Sequence, residues 1–417
     1  MTFRERLRKP GRYAVLFTKW TALALLVGLI GGLLGAAFHH ALRFVTELRT
    51  GHGWLILLLP VGGLVSVGLY KLFRMESNRG TNEIIDAILD GKPVNPFIAP
   101  VIFLASSITH LFGGSAGREG AALQLGGSVA SGIGKLLKLH EKDRTVLIMS
   151  GMSAVFAGLF GTPLTATIFC MEFESVGTLF TPALLPCYLA AFVASRVSLA
   201  LGVHPEVFPL EVTTALTLGN SWKFVVLAVL VSLLGIFMCH AFHKAEHLAA
   251  HHLPNPFVRI AVGGVVIAVL TLIVGDHRFN GAGMDMALGA VAGKTDWYNF
   301  LVKMLFTAVT LAAGFKGGEI VPTFCIGATF GCLVGGLLGI DAGVAGALGL
   351  VGLFCCATNS PLASVILSVE MFGSGYLHLF VLICVICFVL SGHSGLYASQ
   401  IIQFAKADEI VKGEEVK

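Results

Sequence analysis

Gly114-Ser115-Ala116-Gly117-Arg118-Glu119 and Gly314-Phe315-Lys316-Gly317-Gly318-Glu319 are one phrase, G-x-x-G-x-E, written twice. Each precedes an apolar run, and in each a glycine follows eight residues after the acid, Gly127 and Gly327. Glycine-rich breaks in apolar sequence free the N-terminus of the next helix. Discontinuous helices at matching places in two halves of a chain are how membrane transporters assemble an ion site near the bilayer midplane. A carboxylate at that depth is costly, so its default reading is functional. The phrase predicts a two-repeat membrane protein with an acid from each repeat at its centre.

The repeat continues outward. Gly161-Thr162-Pro163-Leu164, with Glu172 nine positions after the proline, matches Asn359-Ser360-Pro361-Leu362, with Glu370 nine positions after its proline. The halves are offset by 200 residues at Glu119 and Glu319 and by 198 at Pro163 and Pro361. Thr162 and Ser360 read as N-caps followed by Pro at N1, so both segments are expected to open helices. Pro322 marks a third such start. Free helix N-termini carry unpaired N–H groups and partial positive charge, which suits a bare anion. The halves are expected to divide in the polar stretch 202–221, giving repeats over 1–205 and 206–417. No C-terminal regulatory domain is expected, since only a short charged tail follows Tyr397–Phe404.

Hydrophobic residues make up 55% of the chain and charged residues 12%, with mean hydropathy +0.84. A soluble domain carries about 25% charged residues, so the balance selects the membrane class. Thr21–Phe38, Trp54–Tyr70 and Phe224–Phe242 reach spanning length. Val146–Phe160, Pro163–Phe169, Ile260–Val274, Pro361–Val369 and Leu379–Leu390 are shorter. They predict tilted or partial helices, tolerated where protein surrounds them.

Arg4, Arg6, Arg8, Lys9 and Arg12 precede an apolar stretch too long for a signal-peptide core. By the positive-inside rule these cations stay cytoplasmic, with Lys71, Arg74 and Arg79 and then Lys135, Lys138, Lys142 and Arg144 as further inner loops. This predicts a multi-pass inner (plasma) membrane protein with both termini in the cytoplasm. The net charge of +4 reflects that asymmetry and gives no nucleic-acid footprint. The nine cysteines lie mostly inside apolar segments and read as small hydrophobes, implying no disulfide, metal or cofactor.

Four segments, in order, resemble the signature of the CLC family of anion channels and anion/proton antiporters. Gly117-Arg118-Glu119-Gly120 is similar to the family's G-K/R-E-G segment with its gating glutamate. Gly318-Glu319-Ile320-Val321-Pro322 occupies the place of G-x-F-x-P, and Gly80-Thr81-Asn82 that of the end of G-S-G-I-P. Tyr397 resembles the inner-gate tyrosine ahead of the last helix. The resemblance implies an all-α polytopic fold, an inverted repeat of about eighteen tilted, partly discontinuous helices. It also implies a homodimer in the lipid bilayer with one pathway per subunit, and a transporter or channel in place of an enzyme.

The departures carry the finer reading. Arg79 stands where G-S-G-I-P has its serine, and Asn82 replaces the proline. Ile320 replaces the phenylalanine of G-x-F-x-P, with the extra acid Glu319 before it, and Phe173 aligns with the inner proton-transfer glutamate of many chloride antiporters. These features resemble the fluoride-selective clade, although that clade often has threonine where Val321 stands. The implied function is a bacterial fluoride/proton antiporter that exports fluoride, with chloride possible as substrate.

Glu119 and Glu319 are the expected gating and proton-coupling acids. Thr81, Asn82, Gly117, Arg118, Gly120, Ile320, Val321 and Tyr397 are the expected anion-binding residues. Ionised Glu119 would compete with the anion for the same helix ends; protonated, it would swing away. Blander readings stand beside these. Glu119 could be salt-bridged to a poorly oriented Arg118, and Glu319 could cap the helix near Pro322. Glu172 and Glu370 could anchor helix ends or a dimer surface, Tyr397 could be an interfacial anchor, and Thr81-Asn82 an ordinary helix start.

Two rival functions remain. One is a chloride-type CLC antiporter or channel. The other is a membrane metalloenzyme, since His240, His243, His247 and His251 share one helical face and, with His252, resemble the histidine boxes of membrane di-iron enzymes. No second histidine cluster lies at comparable depth, so a solvated helix end is the better reading.

Overall fold

The computed structural model describes residues 3–208, 210, 217–404, 406 and 414–415. The side chains of Arg4, Arg6, Arg8, Lys9 and Arg12, most of the tail from Gly413, and part of the expected inter-repeat stretch lie outside the described residues.

The chain is built from helices because its long apolar runs must satisfy every backbone polar group within the segment. The first half comprises α1 (Phe3–Gly51), a 3-10 turn (Gly53–Leu58) leading into α2 (Leu59–Leu72), α3 (Thr81–Asp90), α4 (Ile98–Leu111), α5 (Glu119–Leu136), α6 (Glu141–Phe160), α7 (Pro163–Glu172) and α8 (Leu184–Ala200). The second comprises α9 (Ser221–His252), α10 (Pro256–Val274), α11 (Met284–Val291), α12 (Asn299–Ala313), α13 (Ile320–Leu338), α14 (Ala342–Thr358), α15 (Pro361–Phe372) and α16 (Leu377–Leu390). Among the described residues, seven segments are long and apolar enough to cross a membrane.

Sixteen helices are described where the family resemblance implied about eighteen. One reason is that α1 runs unbroken for 49 residues through Pro10-Gly11. The other is that Tyr397 leads into a two-residue strand, β2 (Ile401–Ile402), and no helix follows it among the described residues. β2 pairs in parallel with β1 (Ser175–Val176) and antiparallel with β3 (Glu414–Glu415). Two expected partial helices are full length: polar residues 141–145 extend Val146–Phe160 into α6, and Pro256–Arg259 extend Ile260–Val274 into α10. The short forms of α7 and α15 hold.

Corresponding helix pairs in the two halves each pack through glycines. Gly126 of α5 lies backbone-to-backbone on Gly151 of α6, and Gly327 of α13 on Gly349 of α14, where an added Cβ would collide with the opposing carbonyl. The inversion is visible where α7 meets α15. Glu172, at the end of α7, accepts from the N–H groups of Leu362 (3.0 Å) and Ala363 (2.8 Å) at the start of α15. Glu370, in the last turn of α15, accepts from the N–H groups of Leu164 (3.0 Å) and Thr165 (2.8 Å) and from the Thr165 hydroxyl (2.6 Å). Each helix therefore caps the other, which requires them to run antiparallel.

This corrects the capping expectation. Pro163 and Pro361 do open their helices, but neither Thr162 nor Ser360 caps through its side chain. The Thr162 hydroxyl is buried without a partner, and that of Ser360 donates back to Thr358 O at 3.1 Å. A charged carboxylate reaching across is the stronger acceptor and takes the donors first. Glu370→Ala should therefore lower stability by about 2–4 kcal/mol, read as a fall in the unfolding temperature of the purified protein. An unchanged midpoint would show that the cap is dispensable.

Candidate functional site

The two copies of G-x-x-G-x-E meet. Gly117 N donates to Gly318 O at 2.6 Å and Gly318 N to Gly117 O at 2.8 Å, a single antiparallel bridge between loops 201 residues apart in sequence. Both positions need glycine: a Cβ on Gly117 would lie 3.0 Å from Pro322 Cδ, and one on Gly318 would lie 2.6 Å from Gly120 N. Gly120 keeps α3 close, since a Cβ there would lie 3.0 Å from the Thr81 hydroxyl. The bridge points the N-termini of α5 and α13 at a common centre.

Glu119 opens α5 and is fully buried, 0% exposed. Its Oε2 accepts from Arg118 N (3.0 Å) and from Val321 N (3.2 Å) in the first turn of α13. The acid of one repeat thus sits on the helix end of the other, the place an anion would take. Its Oε1 is buried with no hydrogen-bond partner. Arg118 Nε approaches it only to 4.0 Å.

The Arg118 guanidinium leaves the site. It pairs with Glu206, meets His39 Nδ1 at 3.1 Å and stacks over the Phe160 ring at 5.1 Å. Arg118, an expected anion-binding residue, turns most of its side chain away: its backbone N–H bonds Glu119, and its Nε comes no nearer than 4.0 Å.

A cavity of about 430 Å³ leads to the bridge from the side of the Lys71–Arg79 loop. Glu319, Thr81, Asn82, Gln124, Tyr397 and Lys316 are among its lining residues, with Glu246 and Arg259 further out. Glu319 stands at the N-cap position of α13 but makes no side-chain cap bond. Its Oε2 is buried and unpartnered, which sets aside the capping reading. The helix it precedes begins at Ile320, two residues before Pro322. Tyr397 is 2% exposed, its hydroxyl also unpartnered, and its ring meets Phe173 edge-on at 5.7 Å. Asn82 lines the cavity and ties down the tyrosine loop, its Oδ1 accepting from Ser399 N at 3.0 Å. Thr81 is buried beside it at the start of α3. Ile320 and Val321 are buried in the first turn of α13, Val321 contributing its N–H.

Three groups were not singled out from sequence. Glu206 and His39 hold Arg118 from 88 and 79 residues away, with no local pattern to announce them. Lys303, 0% exposed, donates to Ser115 Oγ (2.9 Å), Phe279 O (3.1 Å) and Gly281 O (2.6 Å), bracing the loop ahead of Glu119. A lone cation in the apolar run Phe300–Phe306 was the signal available.

Three histidines of α9 turn a ring nitrogen to a carbonyl, and His247 and His251 stack on each other with ring centroids 6.4 Å apart. His240 meets Ile236 O (2.8 Å), His252 meets Leu248 O (2.9 Å), and His243 Nε2 meets Leu396 O (3.2 Å), beside Tyr397. No group of three or more metal-ligating side chains gathers among the described residues.

Residues 62–392 match the family described as voltage gated chloride channel. The chain is 35% identical over 412 residues to a chloride/fluoride channel protein of Pseudomonas syringae pv. tomato, covering 96% of this chain and 91% of that protein. It is 26% identical over 443 residues to the H(+)/Cl(-) exchange transporter ClcA of Vibrio campbellii, covering 98% and 93%. Among solved structures, a CLC-type fluoride/proton antiporter superposes with TM-score 0.89 at 32% identity, covering 92% of this chain and 98% of that one. A slow cyanobacterial Cl-/H+ antiporter shares the fold, with TM-score 0.76 at 20% identity, covering 89% and 94%.

Proposed function

The chain belongs to the CLC family of anion channels and anion/proton antiporters, and on that footing we propose that it is a bacterial fluoride/proton antiporter, exporting fluoride as protons move inward. The observation that carries this reading is the Glu119 carboxylate on Val321 N–H, with Glu319 beside it and unpartnered. Ionised, Glu119 occupies the donors an anion needs. Protonated, it loses the charge that holds it there, and the anion takes its place. Anion and proton occupancy are thereby linked, because one helix end serves both.

Fluoride over chloride rests on the donors around the cavity. The Tyr397 hydroxyl and a protonated Glu319 each offer an O–H with no other acceptor, and a small, strongly accepting anion gains most from such donors. The similarity to a fluoride/proton antiporter at 32% identity supports the same choice. Phe173 stands where chloride antiporters carry an inner glutamate and packs on Tyr397. In this reading protons leave Glu119 for the cytoplasm through the cavity, by way of Glu319.

Orientation follows from charge. Lys19 of α1 pairs with Asp143 of α6 at 2.5 Å, and Arg144 donates to Gly91 O at 2.7 Å, gathering the cation-rich ends on one face. We assign that face to the cytoplasm, with both termini there and the cavity opening inward. Two subunits form a homodimer in the inner membrane, and each chain divides into repeats over 1–205 and 206–417.

Efflux from proteoliposomes loaded with fluoride or chloride, recorded together with pH, tests the proposal. Fluoride should leave much faster than chloride and draw protons inward against a voltage bias. Chloride leaving as fast would replace this reading with a chloride-type one, for which Val321 in place of threonine would be the structural reason.

A further inference from the structure

Arg118 is the cation paired with the gate acid, yet both terminal nitrogens and the flat face of its guanidinium are engaged elsewhere. One terminal nitrogen pairs with Glu206, the other meets His39 Nδ1 at 3.1 Å, and the flat face lies over Phe160 at 5.1 Å. Only Nε remains toward Glu119, at 4.0 Å from an Oε1 that has no other partner. Arg118 and Glu206 are 15% and 20% exposed, so their pairing is sheltered enough to hold one geometry. Glu206 is itself placed by backbone, its N–H donating to Phe160 O at 3.2 Å. His39 lies twenty residues after Lys19 along α1, about 30 Å further through the bilayer. The cluster is therefore on the outer side of the gate, opposite the cavity.

Resting on the antiporter reading, we propose that Glu206 is a positioning residue for proton uptake: it withdraws Arg118 from Glu119, so that the gate acid can be neutralised from outside. The electrostatics follow from the geometry. Without the Glu206 charge, the guanidinium is uncompensated beside Glu119 and free to turn toward it. Ionised Glu119 gains a counter-ion, and its protonation requires a more acidic medium. His39, His40 and Arg43 of α1 and His110 of α4 also face Arg118 or its partners, and Arg49 and Lys303 face His110. Glu206 is the only carboxylate other than Glu119 paired to Arg118 among the described residues. The sign of the effect is therefore set by Glu206.

The test is the pH profile of coupled transport in proteoliposomes. In Glu206→Gln the midpoint of the alkaline limb should move to lower pH by roughly 0.5–1 unit. In Arg118→Gln it should move upward. The double variant should match Arg118→Gln alone to within about 0.3 unit, whatever its rate, because Glu206 acts through Arg118. A purely structural role would lower the rate and leave the midpoint in place. An unmoved or upward midpoint in Glu206→Gln overturns the inference. If Glu206→Gln does not fold, Glu206→Asp should shift the midpoint in the same direction by less, and an unmoved midpoint there has the same overturning force. Glu119→Gln separates the two levels: coupling that survives it removes Glu119 from the gate and with it the reading on which this inference rests, whereas coupling lost in it with a fixed midpoint in the Glu206 variants sinks only this one.

Discussion

Glu119→Gln should bring fluoride-driven proton movement down to the leak of empty liposomes, a fall of roughly 100-fold or more. The substitution keeps the shape of the side chain and an oxygen that can accept from Val321 N–H, so the bridge and both helix ends stay in place. What it removes is the second protonation state. A group that never ionises cannot exchange a negative charge for an anion at the α13 N-terminus, and a group that never accepts a proton cannot carry one. Fluoride flux and pH, recorded together under an outward fluoride gradient, give the answer directly. Uphill proton movement that persists undiminished in this variant would remove Glu119 from the gate.

Glu319→Ala should cost fluoride transport about 10–100-fold and chloride transport far less, collapsing the preference between them. The magnitude is that of a hydrogen bond to a charged partner, about 1.5–3 kcal/mol. The selectivity follows from placement. The Glu319 Oε2 is buried without a protein partner on the cavity wall shared with Tyr397, so its protonated form has nothing to donate to except an ion or water in that space. A larger, weaker acceptor loses less when that donor goes. Parallel losses for both anions would leave Glu319 with a proton-passing role and transfer selectivity to Tyr397 and Asn82.

How much of this was legible depends on the range over which each feature is encoded. The paired G-x-x-G-x-E phrase is local, and its meaning is steric: two glycines allow two backbones to touch, and an acid follows each. The repeat announced two such breaks, but that they touch, and that Gly117 meets Gly318 and not its counterpart Gly317, came from the folded chain. The Pro-Leu segments were equally legible as helix starts, but their caps were not. A hydroxyl before proline is a local signal, and a carboxylate arriving from 205 or 206 residues away overrode it. The polar turn that completes α6 and the Pro- and Arg-bounded turn that completes α10 hid their length, because the continuous apolar run ends before the helix does. Arg118 was assigned to the anion path by its neighbours in sequence. Its true partners, His39 and Glu206, lie on elements that come together only in the folded chain. Lys303 was overlooked because a lysine satisfied by two carbonyls and a hydroxyl leaves no motif.

The bridge between Gly117 and Gly318 also limits how the protein can move. Many secondary transporters work by rocking one repeat against the other around a fixed site. Here the repeats are stitched together at the site itself by two short backbone hydrogen bonds, and again where Glu172 and Glu370 exchange caps. Rocking would tear all of these out of a dry interior, at about 1–3 kcal/mol for each group left bare. The cheaper motion is rotation about the side-chain bonds of one glutamate. The scaffold then works as a stationary frame, and the moving part weighs only a few atoms.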